Sequence, residues 1–300
     1  MSDLDLSNFK SFQIEHKDVI DDIINNYQPK ASEYCFAYLF AWQDHFHFKW
    51  TIHNDFLLIL GKKDNNFYCL SPIGNGDRIQ ITLEVLNWLS TLQDISHPYI
   101  DRVDNKFISD IKHHPDIFVR TDRDYYDYIY TSADLINLKG RKYHAKRNHI
   151  HNFKENHSFE YEKIKSENLI NCRQIAEKWC KMKNCDENSS LQAEKEALFR
   201  VLNNFDDLGM SGGLISVDGS YEAFTIGEKL NNEMAVVHYE KADPNIQGLY
   251  QIINQKYCEK EWQNVKYINR EQDMGIPGIR KAKKSYHPEF FVKKYTISLQ

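Results

Sequence analysis

Tyr267-Ile-Asn-Arg-Glu-Gln-Asp-Met-Gly-Ile-Pro-Gly-Ile-Arg-Lys-Ala-Lys-Lys-Ser-Tyr-His-Pro288 sets charges of both signs between turn formers. Val265 to Ile268 reads as a short strand, and the polar turn after it carries Asn269, Arg270, Glu271 and Asp273. Gly275, Pro277 and Gly278 punctuate that turn before a short helix. On the helix, Ile279, Ala282 and Tyr286 follow the i, i+3, i+7 spacing of a core-facing stripe. Arg280 and Lys284, four apart, share one flank of the stripe, and Lys283 takes the other. Pro288 should close the helix, and Phe290-Phe-Val-Lys-Lys-Tyr-Thr-Ile297 reads as a single final strand. The four charges Arg270, Glu271, Asp273 and Arg280 cannot all be buried without partners. Either they line a common cleft or they are solvated on an ordinary loop and basic helix.

Upstream, Gly212 to Gly227 reads as a hairpin whose tight turn is Asp218-Gly219. Asn231-Asn232 turns the chain into a third strand, Met234-Ala-Val-Val-His-Tyr-Glu240. A loop, Lys241-Ala-Asp-Pro-Asn-Ile-Gln-Gly-Leu-Tyr250, then feeds an apolar helix marked by Leu249, Ile252, Ile253, Tyr257 and Trp262. Backbone N–H groups at such a helix start are a natural seat for an anion. Further back, a helix over about 142–155 has an apolar stripe of Tyr143, Ile150 and Phe153, and Lys146 falls inside it. A lysine there either snorkels to water or points into a cleft that holds an anion or acyl group. Arg147, His151 and Lys154 form one adjoining edge, with Asn148 beside them.

Three blocks give the chain a family likeness. They are Gly278-Ile-Arg280 with Lys283, Tyr286-His-Pro288 and Lys294-Tyr295; Asp124-Tyr-Tyr-Asp-Tyr-Ile-Tyr130 with Leu138 to His149; and Glu240-Lys-Ala-Asp243 with Gly248 and Tyr250. Together they resemble the phosphatidylglycerol lysyltransferase C-terminal domain family, and more closely a bacterial family grouped with it that brings no single proven reaction. The likeness runs nearly end to end. It implies an α/β (α+β) fold of two tandem GNAT-like domains, acyl-CoA N-acyltransferase in type, with mixed, largely antiparallel sheets flanked by helices. The expected domains are 1–120 and 121–300, the second carrying the site, and the final strand crosses to complete its neighbour as it does in tandem relatives. Acyl or aminoacyl transfer is the implied activity, from aminoacyl-tRNA or a coenzyme A thioester to an amine, hydroxyl or lipid-headgroup acceptor. No cofactor beyond such a donor is implied.

On that reading Glu240 and Asp273 are the candidate catalytic carboxylates, Glu240 as base for an incoming nucleophile. Lys146, Arg147, Asn148, Lys241, Gly248, Tyr250, Asn269, Arg270, Glu271, Arg280 and Lys283 are the candidates for binding the donor, a tRNA or another anion. Glu240 is equally able to serve as a structural ion-pair partner of Lys241 or Arg270. The loop around Gly248 departs from the GNAT pattern. Asn245 stands where Arg or Gln is usual, and Tyr250 where a Gly or Ala admits the coenzyme A diphosphate. A rival reading keeps the fold and the anion pocket in a non-catalytic binding protein.

The bulk sequence narrows the classes. Three hundred residues suffice for two domains with real cores. A net charge of −5 argues against a general nucleic-acid coat while allowing local basic patches. Six cysteines without a CxxC pair read as reduced thiols. The histidines show no zinc-type spacing, so no metal is expected. No GxSxG elbow or P-loop occurs, which removes serine hydrolases and nucleoside triphosphatases. The acidic N-terminus has no apolar h-region and no run of 18 apolar residues exists, giving the expectation of a cytoplasmic protein without a membrane span.

Overall fold

The long apolar run Phe56-Leu-Leu-Ile-Leu60 is buried throughout, as a strand covered on both faces must be. It lies in a computed structural model that describes residues 4–63, 66–92 and 97–300. The chain divides into two compact units, Met1–Asp127 with Gln272–Gly275 and Val292–Gln300, and Tyr128–Glu271 with Ile276–Phe291. Relative to the expected 1–120 and 121–300, the turn 272–275 and the C-terminal segment 292–300 group with the first unit.

In the first unit the strands are β1 (Lys10–Ser11), β2 (Lys49–His53), β3 (Phe56–Lys63), β4 (Asn66–Leu70), β5 (Ile73–Gly74), β6 (Tyr99–Val103) and β7 (Ile117–Thr121). Its helices are α1 (Lys17–Tyr27), α2 (Phe36–Phe46), α3 (Arg78–Thr91) and α4 (Asn105–Ile111). α1 buries Ile20, Ile24 and Tyr27, one stripe at helical spacing. Tyr295–Leu299, the last strand of the chain, inserts antiparallel between β6 and β7. The final strand therefore completes the first unit's sheet.

The second unit begins with β8 (Asp127–Thr131) and α5 (Ser132–Asn137), then α6 (His144–Asn156), β9 (Phe159–Lys163), α7 (Leu169–Lys183) and α8 (Ser189–Asn203). The meander β10 (Ser211–Val217), β11 (Ser220–Asn231) and β12 (Met234–Ala242) follows. α9 (Leu249–Glu261), β13 (Tyr267–Asn269), α10 (Pro277–Lys284) and β14 (Phe290–Val292) close it, leaving Tyr295–Leu299 as β15. The sheet order is β14-β8-β13-β12-β11-β10-β9, with β12 and β13 parallel. Asp218 and Gly219 both take positive φ in the β10–β11 turn, as a tight hairpin requires. Among the described residues no helix is long and apolar enough to cross a membrane.

One irregularity of β12 positions the site. Tyr239 pairs with Ile226 and Val237 with Gly227, so His238 is an extra residue in the strand. The bulge resets the alternation of side chains, so Val237, Glu240 and Ala242 share one face. Val237 and Ala242 belong to the core that α9 covers. Lys241, on the other face, meets Trp179 of α7.

Several local expectations change. Thr131 caps α5, its hydroxyl accepting from the Asp134 N–H. The expected core stripe of α10 does not form: the helix stops at Lys284, Ala282 is exposed, and the helix has no fully buried residue. Tyr286 is buried, but from the turn beyond the helix. The single strand foreseen over 290–297 is two strands in different sheets, separated by Lys293-Lys294. The break has a cause, since Lys294 is 1% exposed and held by Asp127, Glu33, Ser32 and Gln272. Finally, not all six cysteines are thiols. Cys180 and Cys185 form a disulfide, because Asn184 turns back in the left-handed region after α7 and brings the two Cα atoms to 5.0 Å.

Candidate active site

Glu240 leaves β12 toward α9 and meets Arg270, which follows β13, at 3.0 Å between Oε1 and Nη2. Its other oxygen accepts from the Asn254 amide of α9 at 3.3 Å. The Arg270 guanidinium also lies over the rings of Tyr286, at 5.1 Å, and Tyr130, at 6.0 Å. Lys146 from α6 places its amine 4.1 Å from the centre of the same Tyr286 ring. The stripe residues Tyr143, Ile150 and Phe153 are all buried, which turns Lys146 inward rather than out to solvent. Burial, and then the neighbouring Arg270, push the Lys146 amine down to about 8, against the pull of Glu240. Two cations over these tyrosine rings and one carboxylate paired with Arg270 leave a local excess of positive charge. Cys258 lies close enough to feel both members of the ion pair, but burial raises its thiol to about 12 and removes it as a nucleophile.

The remaining candidates separate. Glu271 accepts from His238 at 2.8 Å, and the second ring nitrogen of His238 meets Glu228 at 3.0 Å. The Lys283 ammonium donates to the carbonyls of Arg270 and Glu271 at 2.6 and 3.2 Å, fixing the loop. Asn269, fully buried, accepts from the Glu271 N–H at 2.7 Å. Arg147 donates to the carbonyls of Leu138 and Gly140, anchoring the loop before α6. Asn148 is exposed next to His144, and Arg280 is half-buried on α10. Asp273 is fully buried in the first unit, where it approaches Arg123 at 3.6 Å and accepts from the Gly275 N–H. The common cleft open to Arg270, Glu271, Asp273 and Arg280 thus reduces to Arg270, which pairs with Glu240 and is joined by Lys146.

On the opposite face of β12, Lys241 pairs with Glu194 at 2.8 Å and lies 3.7 Å from the Trp179 ring. Trp179 donates to the Tyr250 hydroxyl at 3.0 Å. Gly248 has φ of +91° at the start of α9, and a Cβ there would lie 2.5 Å from the His149 carbonyl and 2.8 Å from Phe153 Cβ. The close approach that glycine permits is made by α6. Gly248→Ala should therefore lower stability by roughly 1–3 kcal/mol in a denaturant melt; a change of a few tenths would contradict this packing account. A separate surface depression at Asn75, Gly76, Asp77, Arg78, Ile79 and Asp110 belongs to the first unit and holds none of the candidates.

Thr225 and Asn254 escaped the sequence reading. Asn254 had a signal of the same kind as Lys146, a polar residue one turn before the buried Cys258 on an apolar helix. Thr225 had none, because its pairing with Glu240 depends on the bulge.

Comparisons with known proteins bear on this geometry. Residues 24–298 match the family described as phosphatidylglycerol lysyltransferase, C-terminal. A conserved protein of unknown function from Bacteroides thetaiotaomicron is 32% identical, with 97% of this chain and 99% of that one covered and a TM-score of 0.91. L-PGS from Bacillus licheniformis shares the fold at 13% identity and a TM-score of 0.63, over 94% of this chain and 91% of that one. A tandem GNAT protein from the clavulanic acid biosynthesis pathway does so at 8% identity and a TM-score of 0.51, covering 97% and 98%. An uncharacterised protein of Mycoplasmoides gallisepticum is 26% identical over 179 residues, which is 58% of this chain and 56% of that relative. The chain thus spans about half the length of the curated relative it matches. The fold is that of the tandem GNAT-like aminoacyl- and acyl-transferases.

Proposed function

We propose that this chain, which belongs to the phosphatidylglycerol lysyltransferase C-terminal family, transfers an aminoacyl group from a charged tRNA to an amine or hydroxyl acceptor in its second unit. The observation that carries the reading is the Glu240–Arg270 pair at 3.0 Å with the Lys146 amine on the same tyrosine ring. Glu240 accepts the proton of the attacking amine or hydroxyl as its lone pair forms the new bond to the acyl carbon. Arg270 and Lys146 donate to the carbonyl oxygen as it becomes an oxyanion, in a partly buried site where such donors act strongly. The ester bond then breaks and the proton passes from Glu240 to the departing ribose oxygen. Exposed Lys139, Arg141, Lys154, Lys281 and Lys284 of the same unit offer phosphate contacts. A lipid headgroup is one acceptor of the required chemistry.

A coenzyme A thioester is the weaker donor. The helix start that would receive its diphosphate is approached by α6 at Gly248, and the Tyr250 hydroxyl is bonded to Trp179.

The test is the pH dependence of label transfer from charged tRNA. An oxyanion donor must be protonated, so with the Lys146 amine near 8 the rate should fall as pH rises through that value. The Lys146→Arg protein, whose guanidinium stays charged, should lose that alkaline limb. A limb unchanged in Lys146→Arg would assign it to another group and remove Lys146 from the chemistry.

A further inference from the structure

β7 is an end strand of the first unit's sheet, and among the described residues it pairs only with β15. The phase of its hydrogen bonds sets what its free side offers. The Gln300 N–H donates to the Asp116 carbonyl at 3.1 Å, one step beyond the register pair of Leu299 and Ile117. Antiparallel bonding alternates along a strand, so Phe118 and Arg120 direct their backbone groups at β15. Val119 and Thr121 then turn their N–H and C=O groups to the free side. Ile117 turns its C=O there too, while its N–H is bonded to the His114 carbonyl. The side chains add a second pattern. Asp116, Phe118 and Arg120, spaced by two, fall on one face. Phe118 is 53% exposed, the Asp116 carboxylate is 72% exposed, and Arg120 is exposed. The other sheet ends are blunted against pairing. β1 has two residues, one of them Lys10, and β14 has three. β9 carries Glu160 and Glu162 on one face, so an antiparallel copy centred on Tyr161 would oppose like charges.

We propose that two copies of this chain associate edge to edge through β7, joining their first-unit sheets across a two-fold axis at Phe118. An acid, an aromatic ring and a base in that order complement themselves when the strand meets an antiparallel copy. The two Phe118 rings meet at the centre, and each Arg120 stands opposite the partner's Asp116. Both are non-hydrogen-bonded pairs, in which facing Cα atoms approach to about 4.5 Å and side chains interact most closely. The Val119 N–H meanwhile donates to the partner's Ile117 carbonyl, once from each copy, as in other strand additions to a sheet edge. An axis one residue along, at Val119, would set Asp116 against the partner's Asp122, two like charges. The charge pattern thus selects both the occupant, a second copy, and the register. No residue of the Glu240 site takes part, so the test below stands apart from the transfer reading.

The experiment is sedimentation of the full chain over a concentration series from about 1 to about 100 μM, suited to a contact of strand size. A reversible monomer–dimer equilibrium is expected. Asp116→Arg and Arg120→Asp should each weaken it about tenfold or more, because each sets like charges opposite one another twice. The double variant, Asp116→Arg with Arg120→Asp, exchanges the charges and should return the dissociation constant to within about threefold of the parental value. Val119→Pro removes an N–H that faces away from β15, a position where an edge strand tolerates proline, and should weaken the dimer about tenfold with the fold intact. Hydrogen exchange at the Val119 amide should slow as the protein concentration rises. A chain that stays monomeric throughout the series overturns the proposal. So does a double variant no tighter than its two single variants, a Val119→Pro protein that dimerises like the parent, or a Val119 amide whose exchange ignores concentration.

Discussion

Replacing Glu240 by glutamine is expected to slow aminoacyl transfer by about 10²–10⁴-fold, the contribution of a positioned general base. Glutamine keeps the size of the side chain and a carbonyl oxygen for the Arg270 donor, so the geometry around 3.0 Å survives. What it loses is the ability to take a proton from the nucleophile. The substitution also strips Arg270 of its counter-charge, which should lower the melting temperature to a degree that a thermal scan reads separately. Because both side chains keep 13% exposure, that loss is expected to be smaller than for a fully enclosed pair. A Glu240→Gln protein that transfers at the parental rate would reduce Glu240 to an ion-pair partner and take the base out of the mechanism.

The second large effect is on stability. Lys294 donates to Asp127 Oδ1 at 2.6 Å, to Glu33 Oε1 at 2.7 Å and to the Gln272 amide oxygen at 3.0 Å, and is 1% exposed at its side chain. Asp127 also accepts from the Ser32 N–H at 2.8 Å, and Glu33 pairs with the Arg102 Nε at 2.9 Å. Removing the lysine would leave two carboxylates, 0% and 2% exposed, without their common cation. Lys294→Ala should therefore destabilise the first unit by roughly 3–5 kcal/mol, the usual consequence of breaking a buried pair from one side. Adding Asp127→Asn to Lys294→Ala should recover part of the loss, because the second change removes an uncompensated charge. Denaturant melts of the two single variants and the double variant give the coupling. Strictly additive losses would mean that the three groups do not act as a network.

The pattern of what was legible follows the range of the interactions. The hairpin at Asp218-Gly219 and the stripe around Lys146 are local, and turn chemistry or periodicity exposes them. The Glu240–Arg270 pair is also legible, since both residues end or follow strands that the expected topology sets side by side. Asp127 is different. Its block reads as an alternating strand, but the strand starts at Asp127 itself, and the lysine that buries it lies 167 residues further on. The same long-range pair splits the C-terminal segment into two strands. α10 failed as a core helix because Tyr286 reaches the core from a turn, a shift that helical spacing cannot register. The Cys180–Cys185 bond depends on a left-handed turn at Asn184, which no spacing rule for paired cysteines would flag. Asp273 is close to Arg270 in sequence, yet the backbone hands residues 272–275 to the first unit.

The central claim is that the second unit moves an aminoacyl group off tRNA, and a single-turnover assay tests it most directly. tRNA charged with a labelled lysyl or alanyl group is mixed with excess protein and a nucleophile, either hydroxylamine or vesicles containing phosphatidylglycerol. The predicted result is label leaving the tRNA for the nucleophile far above the uncatalysed rate, with the Glu240→Gln protein restoring nearly the uncatalysed rate. Label that stays on the tRNA at the uncatalysed rate with the parental protein and with either nucleophile would contradict the account.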